Sequence, residues 1–377
     1  MFINSILSRL FGKFLSLTGI ICCFLSLTLF GAEDSTIHHY LYVAAPGVRN
    51  YLEYGGHGLL VFDMDHDFKF VKRIPMGGLD KTGKPSNVKG ICANARTHRV
   101  YISTLQSLMC IDLLMESLVW EKFYDGGCDR MAISPDGKII YLPTLEGNDW
   151  KVIDAFTGNA IAIVSPHSGS HNTIYGPDGK RVYLAGLKSP YLMIADAKRN
   201  QIIDSIGPFS DFIRPFTIDG MQTRCFVNID GLLGFEIGDL RTGKKTDRVT
   251  VAGFSTGPVK RHGCPSHGIA MTPDEKEIWL ADGYNECLHV FDLRKGAPVL
   301  SGTIKLSDQP GWINFSIDGK YAFPSTGEVI SAKEKRIIAR LQDEHGTYIQ
   351  SEKMIEIEFS GRSLVRVGDQ FGVGGRR

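Results

Sequence analysis

The segment RHGCPSH, residues 261–267, places two histidines and a cysteine close together. Imidazole nitrogen and thiolate sulfur are ligands of zinc and copper, and histidine is also suited to act as a general base near neutral pH. The spacing of His262, Cys264 and His267 is not that of an established zinc motif. It favours polar residues on a solvated surface over a metal site within one loop. Which role applies depends on the elements that position these side chains.

A related segment recurs along the chain. The clearest copies read ISPDGKIIYL from 133, YGPDGKRVYL from 175, MTPDEKEIWL from 271 and FSIDGKYAFP from 315, with weaker copies from 92 and 216. Pro-Asp-Gly or a relative predicts a turn in each, because proline presets φ and glycine accepts a positive φ. An alternating strand follows, then a loop, a strand that ends in aspartate, and a more polar fourth strand. Four short strands with a period of roughly 40 to 45 residues indicate the blades of a β-propeller.

Seven copies of the pattern predict an all-β fold, a seven-bladed β-propeller with four-stranded blades, over residues 38–370. The first copy lacks its turn segment. Residues 354–359 alternate as a strand does, so we expect the N- and C-terminal strands to pair, complete that blade and close the ring. Residues 371–377 are expected to form a basic tail.

The repeat places a set of polar residues at one mouth of the central channel. Counting back six residues from the proline position of each turn reaches the start of each innermost strand. These positions, each with the residue that follows it, are Lys89-Gly90, Asp129-Arg130, His171-Asn172, Phe212-Ile213, His267-Gly268 and Gly311-Trp312. The innermost strands surround the channel, so we expect these side chains to line its mouth. The candidate ligand-binding residues are Lys89, Arg130, Asn172, Arg214 and Trp312; the candidate catalytic residues are His267, His171 and Asp129; the candidate metal ligands are His171, His267, His262 and Cys264.

Repeats of the form PDGKxxYL…VID…TG resemble those of the YVTN-type β-propellers, and the resemblance covers about residues 38–370. It implies an exported bacterial protein with the propeller fold. One propeller scaffold hosts many activities, so the resemblance by itself implies no particular reaction.

Three propeller enzymes suggest chemistries for the mouth. The segment HGIAMTPDEKEIW is similar to the His-Gly blade start of streptogramin lyase, which implies His267 as a general base. Similarity to lactonases implies that Asp129, Arg130 and Arg214 act on a sugar lactone. A composite copper or zinc site of His171 and His267, from different blades, is favoured over a site within one loop. Nitrous-oxide reductase has a similar propeller whose channel histidines hold copper, and His38-His39 resemble that arrangement, but the assignment is not carried over. The cupredoxin domain of that enzyme has no counterpart in this sequence.

The N-terminus has the pattern of an export signal. Arg9 and Lys13 precede an apolar run over 14–30, and Gly31-Ala32 follow it. This layout predicts a signal peptide over residues 1–32 and a periplasmic or secreted protein. An uncleaved N-terminal anchor is the alternative.

The formal net charge of +1 provides no overall attraction to nucleic acid or to an acidic membrane surface. We therefore expect no nucleic-acid partner and no membrane contact beyond an uncleaved anchor. We also expect a monomer. The favoured function is binding of a small molecule or a protein partner at the channel mouth. A hydrolase or lyase of a lactone-like substrate and a copper or zinc site are the alternatives. A divalent metal is the one cofactor considered, and the sequence leaves open whether the protein is an enzyme.

Overall fold

A computed structural model of the protein describes residues 36–375, so the signal peptide predicted over residues 1–32 lies outside the described residues. Residues 36–375 form seven antiparallel sheets, six with four strands and one with five. The predicted seven-bladed β-propeller is thereby confirmed. The single helical element of this region is the short 3-10 turn Leu52–Tyr54. Within the same residues, no helix has the length and apolar character needed to span a membrane.

The strands follow the blades in chain order. The first blade contains β1 (Ile37–Ala45), β2 (Gly58–Asp63), β3 (Lys69–Ile74) and, from the C-terminus, β28 (Met354–Ser360) and β29 (Ser363–Val367). The second to fourth blades contain β4 (Val88–Asn94), β5 (Arg99–Thr104), β6 (Ser107–Asp112), β7 (Ser117–Phe123); β8 (Ala132–Ile133), β9 (Ile139–Pro143), β10 (Trp150–Asp154), β11 (Ala160–Val164); and β12 (Ser170–Tyr175), β13 (Arg181–Gly186), β14 (Leu192–Asp196), β15 (Gln201–Ile206). The fifth to seventh blades contain β16 (Ile213–Ile218), β17 (Arg224–Ile229), β18 (Gly234–Asp239), β19 (Lys244–Thr250); β20 (Ser266–Met271), β21 (Glu277–Asp282), β22 (Cys287–Asp292), β23 (Val299–Lys305); and β24 (Ile313–Phe315), β25 (Tyr321–Pro324), β26 (Glu328–Ser331), β27 (Arg336–Arg340).

In the third, sixth and seventh blades, a side-chain hydroxyl holds the turn after the innermost strand. In the third blade, Ser134 Oγ lies 2.6 Å from Asp136 Oδ1 and accepts hydrogen bonds from the amides of Lys138 and Ile139. Gly137 closes the turn with a φ of 76°, a conformation that glycine adopts without strain. This network connects β8 to β9 and gives both strands a fixed register.

The aspartate that ends the third strand of a blade also has a structural role. Asp154 Oδ1 accepts hydrogen bonds from the amides of Phe156 and Thr157. Asp196 and Asp239 bond the amides two and three residues further on in the same way. These are Asx turns, which hold the connection to the outermost strand. The recurrent acids are therefore explained by the turn and do not mark a catalytic site.

The strands become more polar from the channel outwards. β12 and β20 are buried at every position, whereas β15 and β19 are mostly exposed or half-buried. Between blades, aromatic side chains pack edge to face, as with the rings of Trp279 and Phe315, whose centroids lie 5.3 Å apart. Packing on both faces therefore fixes the innermost strands, and with them the first residues of those strands.

The ring is closed by the two ends of the chain, as predicted. β1 pairs antiparallel with β28 from Ile37 opposite Ser360 to Val43 opposite Met354. β29 then adds a fifth strand beside β28. The pairing removes the free edge that β1 would otherwise present.

Residues 368–375 continue from β29 into the channel. Phe371 and Val373 are buried, and the amide of Met271 in β20 donates to the carbonyl of Gly372 at 2.9 Å. The described part of the predicted basic tail therefore lies inside the propeller. This burial was not predicted, because the contacts join residues 368–375 to blades far away in the chain.

Candidate functional site

The channel mouth contains a network of buried charges and histidines. Nδ1 of His171, at the start of β12, lies 2.7 Å from Asp129 Oδ2, and its Nε2 lies 3.3 Å from Arg130 Nη1. The three residues are at most 5% exposed. A carboxylate only accepts hydrogen bonds and a guanidinium only donates them. His171 is therefore neutral, with its proton on Nδ1.

Glu352, two residues before β28, joins the network. Its Oε2 accepts hydrogen bonds from Arg130 Nη2 at 2.7 Å and from Lys353 Nζ at 2.5 Å. Its Oε1 lies 2.9 Å from His262 Nε2, but this approach is outside hydrogen-bond geometry. The buried carboxylate of Glu352 thus pairs with two buried cations, and a buried charge requires such a partner.

Neither Glu352 nor Lys353 was among the predicted site residues. Glu352 precedes β28 by two residues, just as Gly311 precedes β24. It is therefore the seventh strand-start position. Counting back from the turn proline missed it because the first blade has no such turn, whereas alignment on the strand starts would have found it.

His262 and His267 stack against each other, with ring centroids 4.2 Å apart. Nδ1 of His267 lies 2.9 Å from the carbonyl oxygen of Gly311, which can only accept, so Nδ1 carries the proton. Nε2 of His267 keeps its lone pair and has no hydrogen-bond partner among residues 36–375. A Cβ at position 311 would lie 1.9 Å from His262 Nε2, so the stacked pair requires glycine there.

Trp312 lies behind Arg130 and His267, outside the cavity lining. The guanidinium carbon of Arg130 lies 4.8 Å from the centroid of its ring, and the ring of His267 lies 5.9 Å away. The ring of Phe371 packs 5.8 Å from it, and Nε1 donates to the carbonyl of Gln370. Trp312 thus packs between Arg130 and His267 on one side and the C-terminal segment on the other.

Burial lowers the pKa of all three histidines at the mouth. Loss of hydration disfavours the charged imidazolium, and it lowers the pKa of His171 to about 4 although Asp129 opposes the change. Burial is the main reason that the pKa of His267 lies well below its usual value, and the neighbouring His262 lowers it further. Burial also lowers the pKa of His262, against the effect of Glu352. All three side chains are therefore neutral at pH 7.

The acids of the network stay ionised. Burial alone would raise the pKa of Asp129, but Lys89, 3.4 Å away, and His171 hold it well below its usual range. In the same way, Lys353 outweighs burial and keeps the pKa of Glu352 well below its usual value. Burial lowers the pKa of Lys353 itself to about 7. Its ammonium group therefore titrates near neutral pH.

The cavity at the mouth is small and cationic. Its volume is about 80 Å³, far below the roughly 300–1,000 Å³ of sites for drug-sized ligands. The charged and histidine residues of its walls are Arg49, Lys89, Arg130, Arg214, Arg261, Lys353, His171, His262, His267, Glu146 and Glu352. Asp129, Asp230 and Asp308, which do not line the cavity, pair with four of the six cations. The cavity wall itself thus carries six cationic side chains and two carboxylates.

Of the remaining predicted residues, Arg214 lines this cavity, whereas Asn172, Trp312 and Cys264 do not. Asn172 is buried, and among residues 36–375 neither Oδ1 nor Nδ2 has a hydrogen-bond partner. Arg214 lines the cavity and donates to Asp230 at 3.0 Å. Cys264 lies outside the cavity lining, where its Sγ donates to the carbonyl of Ser266 at 3.3 Å.

The predicted metal ligands do not converge on one point. In the part of the chain that the structure describes, the ligand atoms of His171, His262, His267 and Cys264 form no group of three within 4.8 Å. Arg130 and Lys353 also place positive charge beside these histidines. This arrangement suits an anion better than a cation.

Comparison with known proteins adds little about function. No family model matches the chain, and no curated protein matches it. Among solved structures it is similar to hydrazine synthase of Kuenenia stuttgartiensis, at 14% sequence identity and a TM-score of 0.46, covering 67% of this chain and 95% of that chain. We base no functional argument on this similarity.

The lowered pKa of His171 makes the stability of the fold depend on pH. The unfolded chain takes up a proton below the usual value of 6.5, whereas the folded chain does so only near pH 4. Stability is therefore complete above pH 6.5 and falls below it, by about 2 kcal/mol between pH 6.5 and 5 from this group alone. Urea unfolding at these two pH values measures the loss.

Two variants separate His171 from other titrating groups. We expect the pH dependence of the free energy of unfolding to decrease in His171→Gln and to stay unchanged in His66→Gln, whose side chain is 70% exposed. A wild-type free energy that is constant between pH 6.5 and 5 would contradict the neutral, buried state of His171.

Proposed function

We propose that the protein binds a small anion, or the anionic group of a larger molecule, at the channel mouth. One observation carries the proposal: a cavity of about 80 Å³ lined by six cationic side chains and two carboxylates. Guanidinium and ammonium groups are the usual partners of carboxylates and oxyanions. A bound anion would offset the repulsion among these cations.

The cavity also favours a particular size of ligand. Its volume suits a carboxylate or a tetrahedral oxyanion, and the remainder of a larger ligand would project out of the mouth. Arg130 is held by Asp129 and Glu352, so its geometry is set before a ligand arrives.

We further propose that the chain is an exported YVTN-type propeller. The repeated PDGK turns and the N-terminal pattern of Arg9, Lys13 and the apolar run over 14–30 support this proposal. We also propose that it is a monomer that meets its ligand in the periplasm or outside the cell.

Calorimetric titration with sulfate, whose charge is constant between pH 6 and 8.5, tests the anion site. Lys353 has a pKa of about 7 in the free protein, and a neighbouring anion favours its charged form. We therefore expect sulfate affinity to fall by about tenfold or more from pH 6 to pH 8.5. In Lys353→Met we expect weaker binding at pH 6 and loss of this pH dependence.

Acetate and choline serve as further probes, and Arg241→Gln is the matched control because its guanidinium is 72% exposed on the surface. Acetate is expected to bind as sulfate does, and choline is not. Arg241→Gln should bind sulfate like the wild type. Failure of both anions to bind at millimolar concentration, or equal sulfate affinity in Lys353→Met and wild type at pH 6, would refute the proposal.

A hydrolase of lactone-like substrates is a second candidate, favoured by the tautomer of His267. The carbonyl of Gly311 fixes the proton on Nδ1, so Nε2 is able to accept a proton from an attacking water. Arg130, beside the same cavity, would stabilise the oxyanion that develops on the substrate carbonyl.

Hydrolysis of glucono-δ-lactone at pH 7, followed by proton release, tests this second function. We expect turnover above the uncatalysed rate and a loss of about a hundredfold or more in His267→Gln, with His66→Gln as the control. If the wild type does not exceed the uncatalysed rate, the protein is a binding module for this substrate class and not its hydrolase.

A further inference from the structure

A second cluster of reactive side chains lies in the sixth blade, on the β21–β22 hairpin. Nε2 of His289 lies 3.0 Å from Asp282 Oδ2 and 3.6 Å from Cys287 Sγ. The three ligand atoms all lie within 4.8 Å of one another, and the three residues are buried. This cluster shares no residue with the channel mouth.

The spacing of these atoms matches a tetrahedral metal centre. With zinc–sulfur and zinc–nitrogen bonds of about 2.3 and 2.0–2.1 Å, ligands at the tetrahedral angle are about 3.5 Å apart for sulfur and nitrogen and about 3.3 Å apart for nitrogen and oxygen. The observed separations of 3.6 and 3.0 Å are within a few tenths of an ångström of these values. Carboxylate, thiolate and imidazole are also the ligand types that zinc accepts.

The charge of Asp282 provides a second, independent observation. Asp282 is fully buried, yet within residues 36–375 its one ion-pair partner inside 4.0 Å is His289. The amide and Nδ2 of Asn285 supply its other hydrogen bonds. Lys305, on the neighbouring strand β23, is paired with Glu286. A buried carboxylate is costly unless a cation is paired with it or a metal is bound, and a divalent cation here would supply that charge.

The surroundings orient the histidine as they do in metal sites. Nδ1 of His289 lies 3.0 Å from Thr303 Oγ1, and a hydroxyl both donates and accepts hydrogen bonds. Without a metal, Asp282 accepts the Nε2 proton and the hydroxyl donates to Nδ1; with a metal on Nε2, the hydroxyl would accept the Nδ1 proton. Partners of this kind fix the tautomer of metal-binding histidines.

A loop outside the strands covers the cluster. The ring of Phe254 packs edge to face on His289, with centroids 4.5 Å apart, and Asn285 Nδ2 donates to the carbonyl of Ser255 at 2.8 Å. Phe254 itself is 37% exposed. The cluster therefore lies directly beneath a partly exposed loop.

The other group of converging ligands in the described chain is already neutralised. His39 Nδ1 lies 2.7 Å from Glu356 Oε1 and 3.6 Å from Glu358 Oε1. Both oxygens of Glu358, however, accept hydrogen bonds from Arg366 at 2.6 and 2.7 Å. Among residues 36–375, no guanidinium pairs with Asp282.

We propose that Asp282, Cys287 and His289 form a zinc-type site that binds one divalent cation, with water in the fourth position. Metal binding releases the thiol proton of Cys287 to solvent as the metal–sulfur bond forms. The proposal is independent of the anion site at the channel mouth.

Titration of the full exported chain with Co²⁺ tests the site directly. A cobalt–thiolate bond gives a charge-transfer absorption in the near ultraviolet, and tetrahedral Co²⁺ gives visible bands. We expect both to saturate at one equivalent, and zinc to displace the cobalt and raise the melting temperature. A folded wild-type protein that shows no charge-transfer band on addition of Co²⁺ overturns the proposal, whatever the variants do.

Three variants assign the band to these residues. Cys287→Ser should lose the charge-transfer band, and Thr303→Val, which keeps all three ligands, should weaken Co²⁺ binding by about tenfold or more. Cys110→Ser is the matched control, since Cys110 is a fully buried thiol on the corresponding strand of the second blade. A band that persists in folded Cys287→Ser, or that disappears in Cys110→Ser, refutes the assignment.

Discussion

The channel mouth depends on one buried guanidinium, that of Arg130. It contacts Asp129 beside it in the chain, His171 of the fourth blade and Glu352 before the closing strand. A buried charge of this kind is stable only while its partners are in place. The network therefore joins three parts of the ring that are far apart in sequence. The closure of the propeller by β28 is a condition for the site, because it positions Glu352.

This constraint determines the electrostatics of the cavity. Asp129 and Glu352 are used to balance Arg130, Lys89 and Lys353, so they are not free to bind a cation from outside. Burial keeps the histidines neutral, which avoids further positive charge in a crowded space. What remains for a ligand is a set of donors with an excess of cationic side chains over carboxylates. Binding of an anion follows from this arrangement more directly than binding of a metal.

The sequence predicted the fold and much of the mouth because both follow from the phase of the repeat. The number of residues that separates a position from the next turn identified His171, Asp129 and Arg130, without any knowledge of their contacts. Glu352 was missed because the first blade lacks that turn. The hydrogen bonds that fix the tautomers, such as His267 to Gly311, join neighbouring blades, and no local pattern encodes them.

Two other features show in different ways what could not be predicted from the sequence. The C-terminal segment, residues 368–375, packs against blades distant in the chain, so the burial of Phe371 and Val373 was not predictable from composition. The Asp282 cluster, in contrast, is local to one hairpin, where Asp282 pairs with Cys287 and Leu280 with His289. Its residues were visible in the sequence, but the strand register was needed to show that they converge.

The protonation state of the mouth histidines tests the central claim most directly. Nitrogen-15 chemical shifts of the imidazole rings, assigned with His171→Gln and His267→Gln, report both charge and tautomer. We expect both rings to be neutral at pH 6, with the proton on Nδ1 and a lone pair on Nε2. Imidazolium shifts at pH 6, or protons on Nε2, would contradict the buried network around Arg130.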